Sequence, residues 1–386
     1  MIQKFSSCRA PCVLFVANRG YALRSSRESI IQHFIKNGYC VILATEVDSD
    51  SRYLESLGAV VEHVNFSRGG LSPWLDMRAL LRLKQIINRY RPTLIHNFHA
   101  KPVILASLIG RYLLSGEVVI INTITGLGHA FVKGGIISQV AGMGYSLACP
   151  RSNCTVFQNK DDKSLFIRKN WVDEKRAMLI IGSGVNLTQF TPNFQPIEES
   201  RPIQIVMLGR LIWHKGMYEF SQVAEHIRRL HPDVRLVWAG ELDLDHPDAV
   251  PEQWLSSQTN FDYLGRVSDV PELLRRSDIL LFPSVYREGV PRSVMEAAAT
   301  KIPCVGFDVP GVREAVRHEI TGYLVAEGDI DGLTKAVLSM LSDSELRTQM
   351  GEQARFLAEN EFDINKISAD YVQTYRDFGI DIPAFG

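Results

Sequence analysis

Short apolar runs alternate along this chain with longer stretches that are apolar on one side only. Val13–Ala17 reads as a strand, Ser29–Asn37 as a helix ended by Gly38, and Cys40–Thr45 as the next strand. Trp74–Tyr90 carries Leu75, Leu80, Leu81, Leu83, Ile86 and Ile87 at helical spacing, and Pro92 stops it before a strand at Thr93–His96. A helix over Val103–Leu114, a strand at Val118–Thr123 and a strand beginning at Thr155–Gln158 follow. Gly134–Cys149 is a further apolar stretch. It is too short and too interrupted to span a bilayer, and it reads as a buried helix rather than an interfacial one.

The same alternation starts again after Gly184. Strands are predicted at Ile203–Leu208, Arg235–Ala239, Leu264–Arg266, Ile279–Pro283 and Cys304–Phe307. Helices are predicted at Met217–Leu230, Val270–Arg276 and Pro291–Thr300. Strand–helix alternation of this kind builds parallel sheets covered on both faces. The expected fold class is α/β, with two Rossmann-like doubly wound domains facing a cleft. The loop-like stretch Gly182–Pro202 joins them. In such sheets ligands bind beyond the carboxyl ends of the strands.

At 386 residues the chain has room for two domains, and its 46% hydrophobic and 22% charged content is ordinary for a globular protein. A formal net charge of -1 gives no global attraction for nucleic acid. Locally the balance differs. Between Arg68 and Tyr112 stand Arg68, Arg78, Arg82, Lys84, Arg89, Arg91, Lys101 and Arg111, against the single acid Asp76. That excess suggests an anionic partner, and docking of Arg78, Arg82 and Arg89 on an anionic membrane surface is one expectation. The cysteines form no Cys-x-x-Cys pair, so free thiols and a cytoplasmic location are expected, with peripheral attachment to the inner face of the plasma membrane. The N-terminus lacks a convincing signal peptide.

No Gly-x-Gly-x-x-Gly follows the first strand and no Walker loop occurs, which argues against dinucleotide dehydrogenases and P-loop kinases. Two Asp-x-Asp triplets, Asp48–Asp50 and Asp243–Asp245, are weak metal candidates, and no metal or cofactor is expected. The informative block is Arg287-Glu288-Gly289-Val290-Pro291-Arg292-Ser293-Val294-Met295-Glu296. Pro291 suits the first turn of a helix, where free amides around Val290–Ser293 can face a phosphate. Glu288 can accept from hydroxyls of a donor sugar and Glu296 from ribose hydroxyls. Upstream, Gly209 allows close backbone approach at a strand end, and Arg210 with Lys215 can clamp a diphosphate.

With these residues the chain resembles the retaining GT-B glycosyltransferases of family four. The resemblance is carried by Gly209-Arg210 with Lys215-Gly216, Leu264-Gly265-Arg266-Val267, Glu288 through Glu296, Pro310-Gly311-Val312-Arg313-Glu314 and Thr321-Gly322-Tyr323-Leu324-Val325. It implies an acceptor-binding domain over 1–183, a nucleotide-sugar domain over 184–361 and a closing segment, 362–386, that crosses back as a helix around Ile367–Phe378. It implies that Arg210 and Lys215 stabilise the leaving diphosphate, that Arg266 and Val267 lie near the base, and that Glu288 positions the sugar. On the acceptor side, Asn18-Arg19-Gly20-Tyr21 stands where many members carry a glycine-rich loop, and Thr125 stands where many carry a histidine. Arg19, Lys101, Thr125, Gly126 and His129 are the acceptor-side candidates, and His99 is a catalytic candidate. Gly126-Leu127-Gly128 and Pro291-Arg292-Ser293 look most like the subgroup that extends polyprenyl-diphosphate-linked saccharides from UDP-sugars. The expected partners are a nucleotide sugar and a lipid-linked or soluble saccharide acceptor. A nucleotide-sugar 2-epimerase of the same fold and a non-catalytic sugar-nucleotide-binding protein are the alternatives.

Overall fold

The computed structural model describes residues 10–66, 72–114, 117–128, 131, 134–193, 201–244 and 246–386. The chain divides into two compact units, Met1–Ile181 with Asn365–Gly386, and Gly182–Ile364.

The first unit is built on β1 (Cys12–Arg19), β2 (Cys40–Glu46), β3 (Val60–His63), β4 (Leu94–Phe98), β5 (Val119–Ile124), β6 (Cys154–Phe157) and β7 (Ala177–Leu179), in the order β3-β2-β1-β4-β5-β6-β7. Every pairing is parallel. Because helices cover both faces, β1 is apolar without alternation from Cys12 to Ala17. Val13, Phe15 and Ala17 point into one layer, with Leu23 and Phe34 of the helix Gly20–Lys36. Leu14 and Val16 point into the other, with Leu83, Ile86 and Ile87 of the helix Pro73–Tyr90. Each fully buried aliphatic of this kind contributes about 1.5–3 kcal/mol.

The last helix of the chain, Ile364–Asp377, supplies Ile367, Tyr371, Val372 and Tyr375 to the first of these layers. Its two tyrosines join a buried polar network. The Arg27 guanidinium donates to the Tyr371 hydroxyl at 3.0 Å and stacks on its ring. His96 Nδ1 lies 2.7 Å from the Tyr375 hydroxyl and Nε2 lies 2.8 Å from Thr123 Oγ1. Burial, helped by the Arg27 charge, holds the His96 imidazole well below its usual value and hence neutral.

The second unit carries β8 (Gln204–Leu208), β9 (Arg235–Ala239), β10 (Asp262–Tyr263), β11 (Ile279–Phe282), β12 (Cys304–Phe307) and β13 (Gly322–Val325), also all parallel, in the order β10-β9-β8-β11-β12-β13. Strand order reverses between β1 and β4 in one sheet and between β8 and β11 in the other. Those are the places where doubly wound sheets open a crevice.

Four sequence expectations change. The first helix begins at Gly20, nine positions before Ser29, because its buried face there is formed partly by Arg27, which is 1% exposed and hidden from an apolar count. The short strand expected at Leu264–Arg266 falls at Asp262–Tyr263, and Gly265 turns left-handed at φ 66°. The helix Gly135–Ala148 buries only Gly142, Tyr145 and Ala148, while Ile136, Val140, Met143 and Leu147 are exposed, so the buried reading of this stretch is corrected. The basic excess of the Arg68–Tyr112 region is compensated in part by ion pairs, while Arg78, Lys84 and Arg91 stay exposed. Arg82 and Arg89 both reach Glu62, at 2.5 and 3.4 Å, and Lys101 holds Asp76 at 2.7 Å. Arg68 and Cys8 lie outside the described residues. None of the five described cysteines is in a disulfide. Among the described residues no helix is long and apolar enough to cross a membrane.

Candidate active site

The second-unit site begins where β8 ends. Gly209 carries the chain away from the sheet, its amide bonded to Ala239 O at 3.0 Å and its carbonyl to the Trp238 indole at 2.9 Å. A short turn, Trp213–Lys215, follows, and Gly216 closes it at φ 82°. A side chain on Gly216 would collide with the Pro283 carbonyl at the end of β11, so glycine lets the Lys215 turn lie against the neighbouring strand end. Val285 N donates to His214 O at 3.0 Å and ties the turn to the segment after β11. His214 is itself bonded to Asp248.

This geometry brings Lys215 to Glu288 from 73 positions away, and the two are directly ion-paired. The Lys215 ammonium also lies 5.4 Å from the centre of the Phe282 ring and 5.7 Å from that of Tyr286. Burial, with the Arg210 guanidinium nearby, pulls Lys215 down to about 7. The Glu288 carboxylate opposes that drift by favouring the charged form. Arg210 is oriented by Asp243, 2.7 Å away. Gly311 packs its Cα against the backbone of Glu288 and Gly289, so the Pro310–Glu314 segment braces the loop that presents the carboxylate.

Past that loop Gly289, Val290 and Pro291 are buried, and a helix runs from Arg292 to Ala299 with Pro291 as its cap residue. In its first turn the Val294 and Met295 amides both bond to the Pro291 carbonyl at 3.2 Å. Glu296 is held by Arg292 at 2.9 Å, and burial raises its carboxyl against the pull of that guanidinium. Ser293 is half-buried in the first turn. Arg266 is exposed and Val267 half-buried, just beyond β10 and its Gly265 turn.

In the first unit the candidates gather at the β1/β4 reversal. Arg19 ends β1 and caps the helix Gly20–Lys36. His99 follows β4 in a left-handed conformation, φ 70°, uncommon for a residue with a side chain. Its Nδ1 and the Oδ1 of neighbouring Asn18 are buried with no partner among the described residues. Burial, with a contribution from Arg27, lowers His99 to about 4, so its ring is neutral at pH 7. Thr125 and Gly126 follow β5, with Gly126 at φ 103°. Lys101 opens the helix after His99 and is paired to Asp76. His129 lies outside the described residues.

The sequence did not single out Asn18, Phe282, Tyr286 or the Arg210–Asp243 pairing. Asp243 was read as part of a metal triplet, but its carboxylate serves Arg210; Asp245 lies outside the described residues. The other triplet is structural. Asp48 caps the helix Ser49–Ser56 through the Ser51 amide at 2.7 Å, and Asp50 binds Arg24 at 2.8 Å.

Two family models cover most of this architecture. Residues 12–158 match the glycosyl transferase 4-like model and residues 189–356 match the glycosyl transferases group 1 model. The chain belongs to the group 1 glycosyltransferases. This transferase is 25% identical over 376 residues to a Campylobacter jejuni N,N'-diacetylbacillosaminyl-diphospho-undecaprenol alpha-1,3-N-acetylgalactosaminyltransferase, covering 94% of this chain and 97% of that one. It is 26% identical to an Escherichia coli UDP-Gal:alpha-D-GlcNAc-diphosphoundecaprenol alpha-1,3-galactosyltransferase, over 80% of each chain. Anabaena HepE, solved in complex with UDP and glucose, superposes with a TM-score of 0.76 at 16% identity, covering 95% of the transferase and all of HepE. Sucrose-phosphate synthase from Thermosynechococcus elongatus gives the same TM-score at 17% identity. The transferase has the GT-B fold.

Proposed function

We propose that this glycosyltransferase moves a sugar, an N-acetylhexosamine or related hexose, from a UDP-linked donor to a polyprenyl-diphosphate-linked saccharide, with retention and without a metal. The observation that carries the reading is the Lys215–Glu288 pair with Arg210 beside it, set at the β8/β11 reversal next to the amides that open the helix Arg292–Ala299. Two cations and a helix N-terminus suit a diphosphate whose charge grows as it departs. With Asp243 oriented toward Arg210 and Asp48 capping a helix, the cations take the role that a metal fills in other transferases. Glu288, anchored by Lys215, is placed to accept from donor-sugar hydroxyls, and Glu296 from the ribose.

On the acceptor side, neutral His99 and Asn18 offer buried polar atoms at the carboxyl edge of β4 and β1. Arg19, Lys101, Thr125 and Gly126 border the same edge. The acceptor class rests on the names of the Campylobacter and Escherichia relatives, both of which use diphospho-undecaprenol-linked saccharides. The donor rests on the Escherichia relative's UDP-Gal and on the UDP bound by HepE. Retention rests on the family resemblance.

The test is UDP release from a panel of UDP-sugars, with and without a polyprenyl-diphosphate-linked acceptor. Acceptor-dependent release with a lengthened glycan is the expected result. Release independent of acceptor, with an epimerised sugar as product, would overturn it.

A further inference from the structure

The first sheet has a second chemically distinct edge. The amino edge, opposite the strand ends that carry Asn18 and His99, holds a cavity of about 600 Å³. Asn153 and Arg176, which line it, stand immediately before β6 and β7. Arg111 reaches it from the last turn of the helix Ala100–Leu114, Arg151 and Lys175 complete its cationic wall, and Phe378 forms an apolar side.

No acid lines this cavity, and none of its four cations makes an ion pair among the described residues. The three arginines are instead held by neutral oxygens. Arg111 donates to Arg151 O and to Asn153 Oδ1, both at 2.9 Å. Arg176 donates to Pro150 O at 2.8 Å and Ser152 O at 3.1 Å, and Arg151 to Leu147 O at 2.5 Å. Neutral carbonyls orient these groups without cancelling their charge. Burial, with a smaller contribution from repulsion by the adjacent Arg176, pulls Arg111 below the usual arginine value. A bound anion relieves that repulsion.

A separate observation identifies the carrier of the anion. The helix Gly135–Ala148 contains no charged residue, and it runs through the turn Cys149–Arg151 straight into the cavity wall. Ile136, Val140, Met143 and Leu147 recur at four, three and four positions and so form one stripe. Ile136 is 75% exposed and Met143 66%. Gly142 and Gly144 on the inner side let the helix pack against Trp171 and Ile104, which fixes the direction of the stripe. An exposed apolar stripe ending at an uncompensated cationic pocket matches an amphiphile with an anionic head.

We propose that this cavity binds the phosphate of an anionic membrane lipid while the stripe of the helix Gly135–Ala148 lies in the interfacial layer. The contact is independent of the transfer reading, since it uses the opposite edge of the sheet. Each cation near an anionic surface contributes roughly fivefold in affinity, so the attachment is reversible and falls with salt.

Cosedimentation with vesicles containing phosphatidylglycerol, compared with phosphatidylcholine alone, tests the proposal. Wild-type protein is expected to bind only the former. Among the described residues the Lys175 side chain makes no hydrogen bond, so K175Q should leave the fold intact and weaken binding about fivefold. R151Q with K175Q should weaken it about thirtyfold. I136S with M143S should also release the protein, whereas R78Q should not. Wild-type protein remaining in the supernatant, or unchanged binding by R151Q with K175Q, overturns the proposal. Binding of inorganic phosphate without vesicle binding marks a free-anion site and overturns the lipid reading. Self-association lost in I136S with M143S, again without vesicle binding, marks a protein interface and overturns it equally.

Discussion

Lys215 and Glu288 are bonded to each other across the β8/β11 reversal, one from the turn after β8 and the other from the loop after β11. Each orients the other. The pair therefore acts as one unit, and a change in either residue is felt by both.

E288Q should keep the fold, because the amide still accepts from Lys215, but lower turnover. Losing one such positioned charge costs about 2–4 kcal/mol in the transition state. Steady-state turnover with a saturating donor measures this, and near-wild-type rates would remove Glu288 from the chemistry.

R210A and K215A should each weaken UDP binding, and the double variant should lose less than the sum, since both cations face one diphosphate. D243N should weaken it more mildly by leaving Arg210 unoriented. Isothermal titration separates these cases. Unchanged affinity in both single variants would move the diphosphate site elsewhere.

The lowered Lys215 value has a pH consequence with a definite sign. Between about 7 and the free-lysine value of 10.5, the unfolded chain holds the extra proton. Stability attributable to Lys215 therefore rises with pH across that window, and K215M should lack this slope. A diphosphate beside the ammonium favours its charged form. UDP binding near pH 8 should accordingly take up a proton, visible as a buffer-dependent binding enthalpy, and affinity should fall as pH rises above 7. Proton uptake unchanged in K215M would exclude Lys215 as its source.

Transfer should survive excess chelator, because Arg210 and Lys215 supply the positive charge. Activity lost on chelation and restored by magnesium or manganese would show that a metal is required after all.

Y375F should destabilise the first unit by about 1–3 kcal/mol, because it leaves His96 Nδ1 buried without its 2.7 Å partner. Urea unfolding measures it. The effect should appear without any change in UDP affinity.

Much of this was legible in the sequence for a physical reason. Strands buried on both faces are continuous apolar runs, so β1, β8 and β11 stand out without alignment. Gly209, Lys215 and Glu288 announce themselves as punctuation and charge at the ends of such runs. What stayed hidden depends on pairing across long separations. Arg27 carried no signal of burial because its partner Tyr371 lies at the far end of the chain. Arg82 and Arg89 looked free because Glu62 precedes the stretch in which they were counted. Asp243 looked like half of a metal motif because nothing local points it at Arg210. The helix Gly135–Ala148 was misjudged because an apolar composition says how hydrophobic a segment is, not which side of it is covered.

The first unit takes its final helix from the end of the chain: Tyr371, Val372 and Tyr375 fill the layer that Phe15 and Phe34 begin. During synthesis this inverts the usual order, in which the leading domain folds first. Gly182–Ile364 is complete, with all its strands, before Asn365 has been added, while the layer begun at Val13 stays open until the closing residues emerge. The half that is made first is finished last, and a message truncated by even a few dozen codons would yield a folded second unit trailing an N-terminal half that cannot close.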